Sequence, residues 1–315
     1  MTSSFQPLTS QADFQARIAA LWVFPIKSCA GISLQQAVLT STGLAYDRAW
    51  MVVDSEGEMV TQRELPRMAL VQPELVQANG RVSELVLRAH GMVALHLAIA
   101  AEDTASPCQV RVWNDEVSAF DMGPAVAQWL TDFLGSSLGS LRLVRFDANH
   151  QRLSSSQWTQ GELAFNQFSD GFPVLVASTA SLDELNTRLQ AKGEAAVDMR
   201  RFRANVVLGD SDAPHAQAVL PHDEDRIGTV TIHTQPDGQR EFVQLKPVKP
   251  CPRCPIPNID PDSAQTHPAV NDALQAYRQD PRVNGALTFG MNCIPTAGVG
   301  QVLRVGQRVS ADWTF

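Results

Sequence analysis

Val248-Lys249-Pro250-Cys251-Pro252-Arg253-Cys254-Pro255-Ile256-Pro257-Asn258-Ile259-Asp260-Pro261-Asp262 is the stretch that organises this chain. Four of its residues up to Pro257 are prolines. Each fixes φ and removes an N–H donor, so the stretch is expected to be a stiff loop, neither a regular helix nor a central strand. The loop presents two thiols with an arginine between them. A guanidinium beside a cysteine favours the thiolate, the form that binds metals and attacks electrophiles. Chemistry is therefore expected here.

Three readings compete for Cys251 and Cys254. Cys-x-x-Cys is half a zinc knuckle, but a structural zinc site wants four ligands and no second Cys-x-x-Cys or His-x-x-x-His pair follows. A thioredoxin-like dithiol wants the motif at the start of a helix, which prolines before and after both cysteines deny. The third reading uses one thiolate as ligand to a soft metal centre, for which molybdenum, copper and iron all qualify. Spacing alone leaves the choice open.

Composition sets the bounds around this stretch. With 315 residues the chain is long enough for two domains, each with its own core. A hydrophobic fraction of 44% with 18% charged residues is that of a globular protein. A net charge of -8 lacks the basic footprint that nucleic acid requires. Five cysteines, an odd number in a chain this size, do not form a disulfide framework and suit a reducing compartment. Met1 to Ala16 is polar, without the pattern of a secretory signal, and no apolar run is long enough to span a bilayer. A cytoplasmic protein without a membrane anchor is expected.

Working outward, the apolar, β-prone run Arg17 to Phe24 ends at Pro25 and reads as a first strand. Leu34–Thr40 and Ala49–Asp54 follow, with a hairpin turn at 55–58. Asn79-Gly80 and His90-Gly91 signal further hairpins between Leu70 and Ala100. Pro124 opens a helix to Leu134 with Val126, Trp129, Leu130 and Phe133 on one face and Gly135 as its stop. The Ser/Gly-rich stretch 135–140 reads as a joint, and the polar, serine-rich 149–160 as a mobile surface loop. Ser181 and Glu184 form a capping-box signal for a helix over Leu182–Leu189. Arg200, Arg201 and Arg203 stand before the strand Val206–Leu208 as an anion-binding entry on an acidic chain. His215 and His222 read as surface residues, and Cys29 as a small buried hydrophobe. A turn at Pro236-Asp237-Gly238, a short helix behind Pro268 and a closing strand at 287–294 complete the pattern. A β-dominated α+β protein is expected.

The run LKPVKPCPRCPIPNIDPDSA, with FRANVV before it and LTFGMN after it, resembles the MOSC domain, the C-terminal type of the molybdenum-cofactor sulfurases. PIKSCAG, YDRAW and VTQRELPRMALV resemble the MOSC N-terminal β-barrel domain that accompanies it. Together the matches run from about Ile18 to Val309. Among proteins with both parts, the chain is most similar to the family of the mitochondrial amidoxime-reducing component and its bacterial relatives. The resemblance implies a MOSC N-terminal β-barrel-like domain over 17–140 and a MOSC β-barrel domain over 141–315. It also implies a molybdenum–pterin cofactor (Mo-molybdopterin) in the cleft between them.

The resemblance further implies roles for named residues. Cys254 would be the catalytic residue and molybdenum ligand, and Lys27, Ser28, Arg48, Gly171, Phe172, Arg203, Asn205, Pro252, Arg253 and Asn292 would contact the cofactor. Gln62 and Arg63 would face the site. Two positions depart from many relatives: Ala204 stands where proline is common, and Asn292 where tyrosine is. The implied activity is reduction of N-hydroxylated compounds such as amidoximes, hydroxylamines and N-hydroxylated bases. No cysteine-rich extension follows Phe315, so electrons are expected from a separate ferredoxin, flavodoxin or cytochrome b5-like protein. Pyridoxal phosphate binding is a further implication at the level of the family. Two alternatives carry different chemistry: a sulfurase or sulfur carrier using a cysteine persulfide, and a cofactor-binding protein without turnover.

Overall fold

The computed structural model describes residues 12–99, 106–135, 137–235 and 241–314, which leaves the expected turn at 236–238 outside the described residues. The chain is β-dominated, 41% strand and 18% helix, and seven of its strands close a barrel. Around the barrel the order is Val174–Ser178, Val206–Asp210, Phe14–Val23, Arg308–Ala311, Val230–His233, Phe242–Pro252 and Ala286–Ala297, which pairs back onto Val174–Ser178. Only the Val174–Ser178 and Val206–Asp210 pair is parallel among these, and the helix Thr179–Ala191 lies in the crossover that a parallel pair requires.

The Phe14–Val23 strand shows how sequence sets the core. Phe14, Ala16 and Ile18 point inward in strict alternation. A bulge between Ile18 and Ala20 then adds one residue, so that Leu21 and Val23 continue on the same face. These side chains meet Val206, Leu208, Ile232, Leu245 and Val309 in the barrel interior. Outside the barrel, Leu185 and Leu189 of the helix pack with Phe202, Val207 and Phe289.

The second unit holds a four-stranded sheet, in the order Trp50–Val53, Arg142–Phe146, Asp115–Asp121 and Ser106–Val112, and a meander of Gln72–Ala78, Arg81–Arg88 and Leu95–Ala98. The helix Pro124–Leu134 forms over the expected span and buries Val126, Trp129, Leu130, Phe133 and Leu134 against Trp50, Met68, Leu85 and Leu87. Stretch 135–140 is not a joint between domains, because Arg142–Phe146 returns to pair with Trp50–Val53. Nor does strand pairing divide at residue 140, since Phe14–Val23 belongs to the C-terminal barrel. No helix among the described residues is long and apolar enough to cross a membrane.

Several local expectations are corrected. The proline-rich stretch is not a loop throughout: Phe242–Pro252 runs as a barrel strand through Pro247, Pro250 and Pro252. It pairs on one side with Val230–His233 only as far as Leu245, and beyond that only with Ala286–Ala297. The later prolines therefore occupy an edge, and register shifts at Pro247/Lys249 and Pro250/Pro252 absorb their missing donors. Residues 149–160 are an anchored segment: Arg152, 6% exposed, bonds Asp115 and Asn166 and the carbonyls of Gln167 and Ser169. The helix after the barrel strand starts earlier, with Ser178 as its N-cap in place of Ser181. His222 is half-buried between Tyr277 and Phe289, and burial pushes its imidazole down to about 3.

Candidate active site

Backbone lacing brings the N-terminal motif to the barrel rim. Lys27 N–H donates to the Trp50 carbonyl at 2.8 Å, Trp50 N–H to Pro25 at 3.0 Å, and Arg48 N–H to Phe24 at 2.9 Å. Phe24 N–H is capped by Asp47 Oδ1 at 2.8 Å. The end of the first strand and the segment before Trp50 thus form one ridge that carries Lys27, Ser28 and Arg48. Ser28, Arg48 and Arg203 all hold left-handed backbone, with φ of 66°, 50° and 57°. For non-glycine residues such strain gathers where a side chain must be aimed.

Two guanidiniums share the Phe24 ring, Arg203 at 4.2 Å and Arg48 at 4.5 Å from its centroid. Arg48 grips both oxygens of Asp47 and donates to the Arg203 carbonyl at 3.0 Å. Arg203 donates one nitrogen to the Cys29 carbonyl at 2.6 Å, while its Nη2 is buried without a partner. Burial, followed by the charge of Arg48, pushes Arg203 down to about 9. The other two arginines of the expected anion entry are already neutralised, Arg200 by Asp198 and Asp262 and Arg201 by Asp260. Asn205 is 2% exposed and both ends of its amide serve backbone groups of Leu175 and Trp22. Its hydrogen bonds therefore fix the Arg203 loop.

Lys27 is also committed: its ammonium donates to the Phe168 carbonyl at 2.9 Å and pairs with Asp170. Burial pulls the ammonium below its ordinary value while Asp170 works the other way. Desolvation would raise the Asp170 carboxyl, yet the charge and hydrogen bond of Lys27, a hydrogen bond from Trp113 at 3.2 Å and the charge of Arg63 hold it well below the usual carboxylate range. Gln62 donates to the Ser28 carbonyl at 2.6 Å and is buried.

The cysteine pair lies on the barrel side. Arg253 donates to Cys251 Sγ at 3.4 Å and to the Phe202 carbonyl at 2.5 Å, and its Nε is buried without a partner. Against expectation, the thiol of Cys251 is pushed up, since burial outweighs the favourable charge of Arg253. Cys29 is fully buried with its thiol pushed up to about 12, as a small core residue.

Nearly all the expected residues converge. Lys27, Ser28, Arg48, Gly171, Phe172, Arg203, Asn205, Arg253 and Asn292 line the inner part of one cleft together with Cys251. Pro252 and Cys254 line its outer chamber of about 490 Å³, with Gly171, Phe172, Arg253 and Asn292 shared between the two. A side chain at Gly171 would point into open space, so the glycine widens the cleft. Sequence reasoning gave no role to the side chains of Asp170, Trp113 and Lys249. The one available signal was Trp113, a large aromatic residue in an otherwise polar hairpin turn and still 40% exposed.

The donor set fits an anionic group carrying a soft metal. Two buried guanidinium nitrogens lack partners at the cleft, and two thiols lie within it. Among the described residues no three His, Cys, Asp or Glu side chains come together to hold a metal ion.

Residues 15–137 match the MOSC N-terminal beta barrel domain and residues 165–310 the MOSC domain. The chain is 34% identical over 271 residues to mitochondrial amidoxime-reducing component 1 of Mus musculus, covering 83% of this chain and 71% of that protein. It is 34% identical to the Homo sapiens counterpart, covering 83% and 72%. It is also 28% identical to molybdenum cofactor sulfurase of Homo sapiens over 87% of this chain, but spans only 29% of that longer protein.

Proposed function

This chain belongs to the MOSC family, with the family's N-terminal beta barrel domain and MOSC domain in tandem, and from that premise we propose that it is a molybdenum-cofactor-dependent oxidoreductase. Its substrates are N-hydroxylated compounds (amidoximes, hydroxylamines and N-hydroxylated bases), and its electrons come from a separate redox protein. The observation that carries the reading is Arg203, a half-buried guanidinium whose Nη2 is buried and unbonded, set beside Arg48 in a cleft that also holds two thiols. A buried cation without a counter-charge is costly, so the cleft favours an anion. A cysteine sulfur at the same cleft suits a soft metal.

A pterin cofactor with a phosphate at one end and molybdenum at the other answers both demands, and when bound it supplies two-electron, oxygen-accepting chemistry. The chain's own residues bind and orient it. Arg48 and Arg203 would hold the anionic group, Arg253 and Asn292 also line the cleft and would contact the cofactor, and Cys254 on the outer wall would be the ligand we assign to the metal. Lys27 acts through Asp170, whose position it fixes. Pyridoxal phosphate is not part of this reading, because the Lys27 amine is engaged by Asp170 and the Phe168 carbonyl.

The two thiols separate this proposal from its competitors. A metal-bound thiolate is not replaced by a hydroxyl, which is a weaker acid and a harder donor. Cys254→Ser is expected to stay folded and lose reduction of amidoximes driven by an artificial electron donor, whereas Cys251→Ser keeps a substantial part. Wild-type protein from a host that makes the cofactor is expected to carry about one molybdenum per chain. Equal loss in both variants, or activity without molybdenum as a persulfide carrier would show, would overturn the assignment.

A further inference from the structure

Two cations of the outer chamber have no counter-ion. The Arg63 guanidinium lies 4.7 Å from the Trp113 ring centroid, and the Lys249 ammonium 5.0 Å from that of Trp158 and 5.9 Å from that of Phe172. Among the described residues neither has a carboxylate within ion-pairing distance. Asp170 feels the charge of Arg63, but its bonds go to Lys27 and Trp113. Arg201, which lines the same chamber, is by contrast neutralised by Asp260. Arg203 and Arg253 line the same chamber and likewise have no ion pair among the described residues, so in a chain of net charge -8 four uncompensated cations on the wall of one cavity are a local reversal of sign. The aromatic faces hold them in place through cation–π contact and are thereby closed to a cationic guest.

We propose that Arg63 and Lys249 form an anion-selective mouth, so that the preferred substrates are N-hydroxylated compounds bearing a carboxylate or similar anionic substituent. This rests on the reduction proposed above and adds its substrate class. The pair comes from two different elements, the turn after Val60 and the proline-bearing barrel strand, and both side chains are half-buried. They are therefore placed to meet a small group entering the chamber and not the broad surface of a protein. Arg48, which lines only the inner part of the cleft, and Arg203, which lines both parts and shares the Phe24 ring with it, remain for the cofactor.

The test uses the molybdenum-loaded, oxidised protein, which binds without turnover, titrated calorimetrically with benzamidoxime, 4-carboxybenzamidoxime and 4-(trimethylammonio)benzamidoxime. The carboxylate probe is expected to bind about tenfold more tightly than the neutral one, as one charge-assisted contact implies, and the cationic probe most weakly. Arg63→Met and Lys249→Met should each abolish that preference at unchanged molybdenum content, and Lys249→Arg should keep it. Equal affinity for the three probes, a uniform change across them, or loss of molybdenum from either methionine variant would overturn the mouth. A preserved preference with no turnover of any probe under reduced methyl viologen would instead sink the reduction and leave the anion-selective mouth standing. With no partner protein in either assay, donor docking cannot produce the preference.

Discussion

Arg203 carries a cost in the empty cleft and a benefit in the filled one, and the two have opposite signs. Its Nη2 is buried without a partner, and burial together with Arg48 weakens its hold on its proton. Arg203→Met should therefore leave the cofactor-free protein no less stable, since it removes a half-buried charge with one unpartnered buried nitrogen along with the bond to the Cys29 carbonyl. Cofactor retention should fall sharply, because a charge-assisted bond of about 1.5–3 kcal/mol is lost. Molybdenum and pterin content after gel filtration, read beside the denaturant midpoint of the cofactor-free form, checks both signs. A fall in both would make Arg203 a structural residue. At this scale Lys27, Ser28, Arg48 and Arg203 were legible through their motifs. Their partners were not: Asp170 reaches Lys27 across 143 positions, and Asp260 and Asp262 neutralise two of the three clustered arginines from about sixty positions away. Local charge density therefore overstated the free positive charge.

The helix Thr179–Ala191 shows the same dependence on distant groups among secondary-structure elements. Ser178 caps it, and Ser178 and Ser181 both donate to the buried carboxyl of Glu224, at 2.9 and 2.6 Å. Burial pushes Glu224 up to about 7; the two serines oppose this, and Asp225, itself bound to Arg278, reinforces it. Below the ordinary value of 4.5, Glu224 is protonated in both folded and unfolded chains. Between 4.5 and about 7 the unfolded chain releases its proton while the folded chain keeps it, so stability is lost as pH rises, on the order of 3 kcal/mol in total. Glu224→Gln should flatten that decline and exceed the parent in stability at pH 8, as read from urea midpoints at pH 5 and pH 8. Parallel pH profiles for the two proteins would remove Glu224 as the source. The sequence placed this helix but took the wrong serine as its cap, because the carboxyl that completes the cap comes from residue 224. It likewise read the proline-rich stretch as a loop: the intrinsic cost of proline was right, but the one-sided edge and the register shifts that accommodate it are properties of the assembled sheet.

Across the whole molecule, the barrel and the cleft both require the two ends of the chain. Phe14–Val23 lies between Val206–Asp210 and Arg308–Ala311, and the cleft takes Lys27, Ser28 and Arg48 from one part and Arg203, Arg253 and Cys254 from the other. A cut at residue 140 would leave fragment 141–315 with an open barrel whose two flanking strands expose unpaired edges. It would also remove Phe14, Ile18, Leu21 and Val23 from the interior. At about 1.5–3 kcal/mol for each buried side chain, that loss is comparable with the net stability of an ordinary domain. In the complementary fragment, Trp50–Val53 would lose its partner Arg142–Phe146. Neither fragment is expected to give a folded monomer by circular dichroism and gel filtration, whereas co-expression of the two should recover a complex with the far-ultraviolet spectrum of the intact chain. A monomeric, cooperatively unfolding 141–315 would mean that the barrel closes without its N-terminal strand, and the cleft would then have to be understood as a contact between two independent domains.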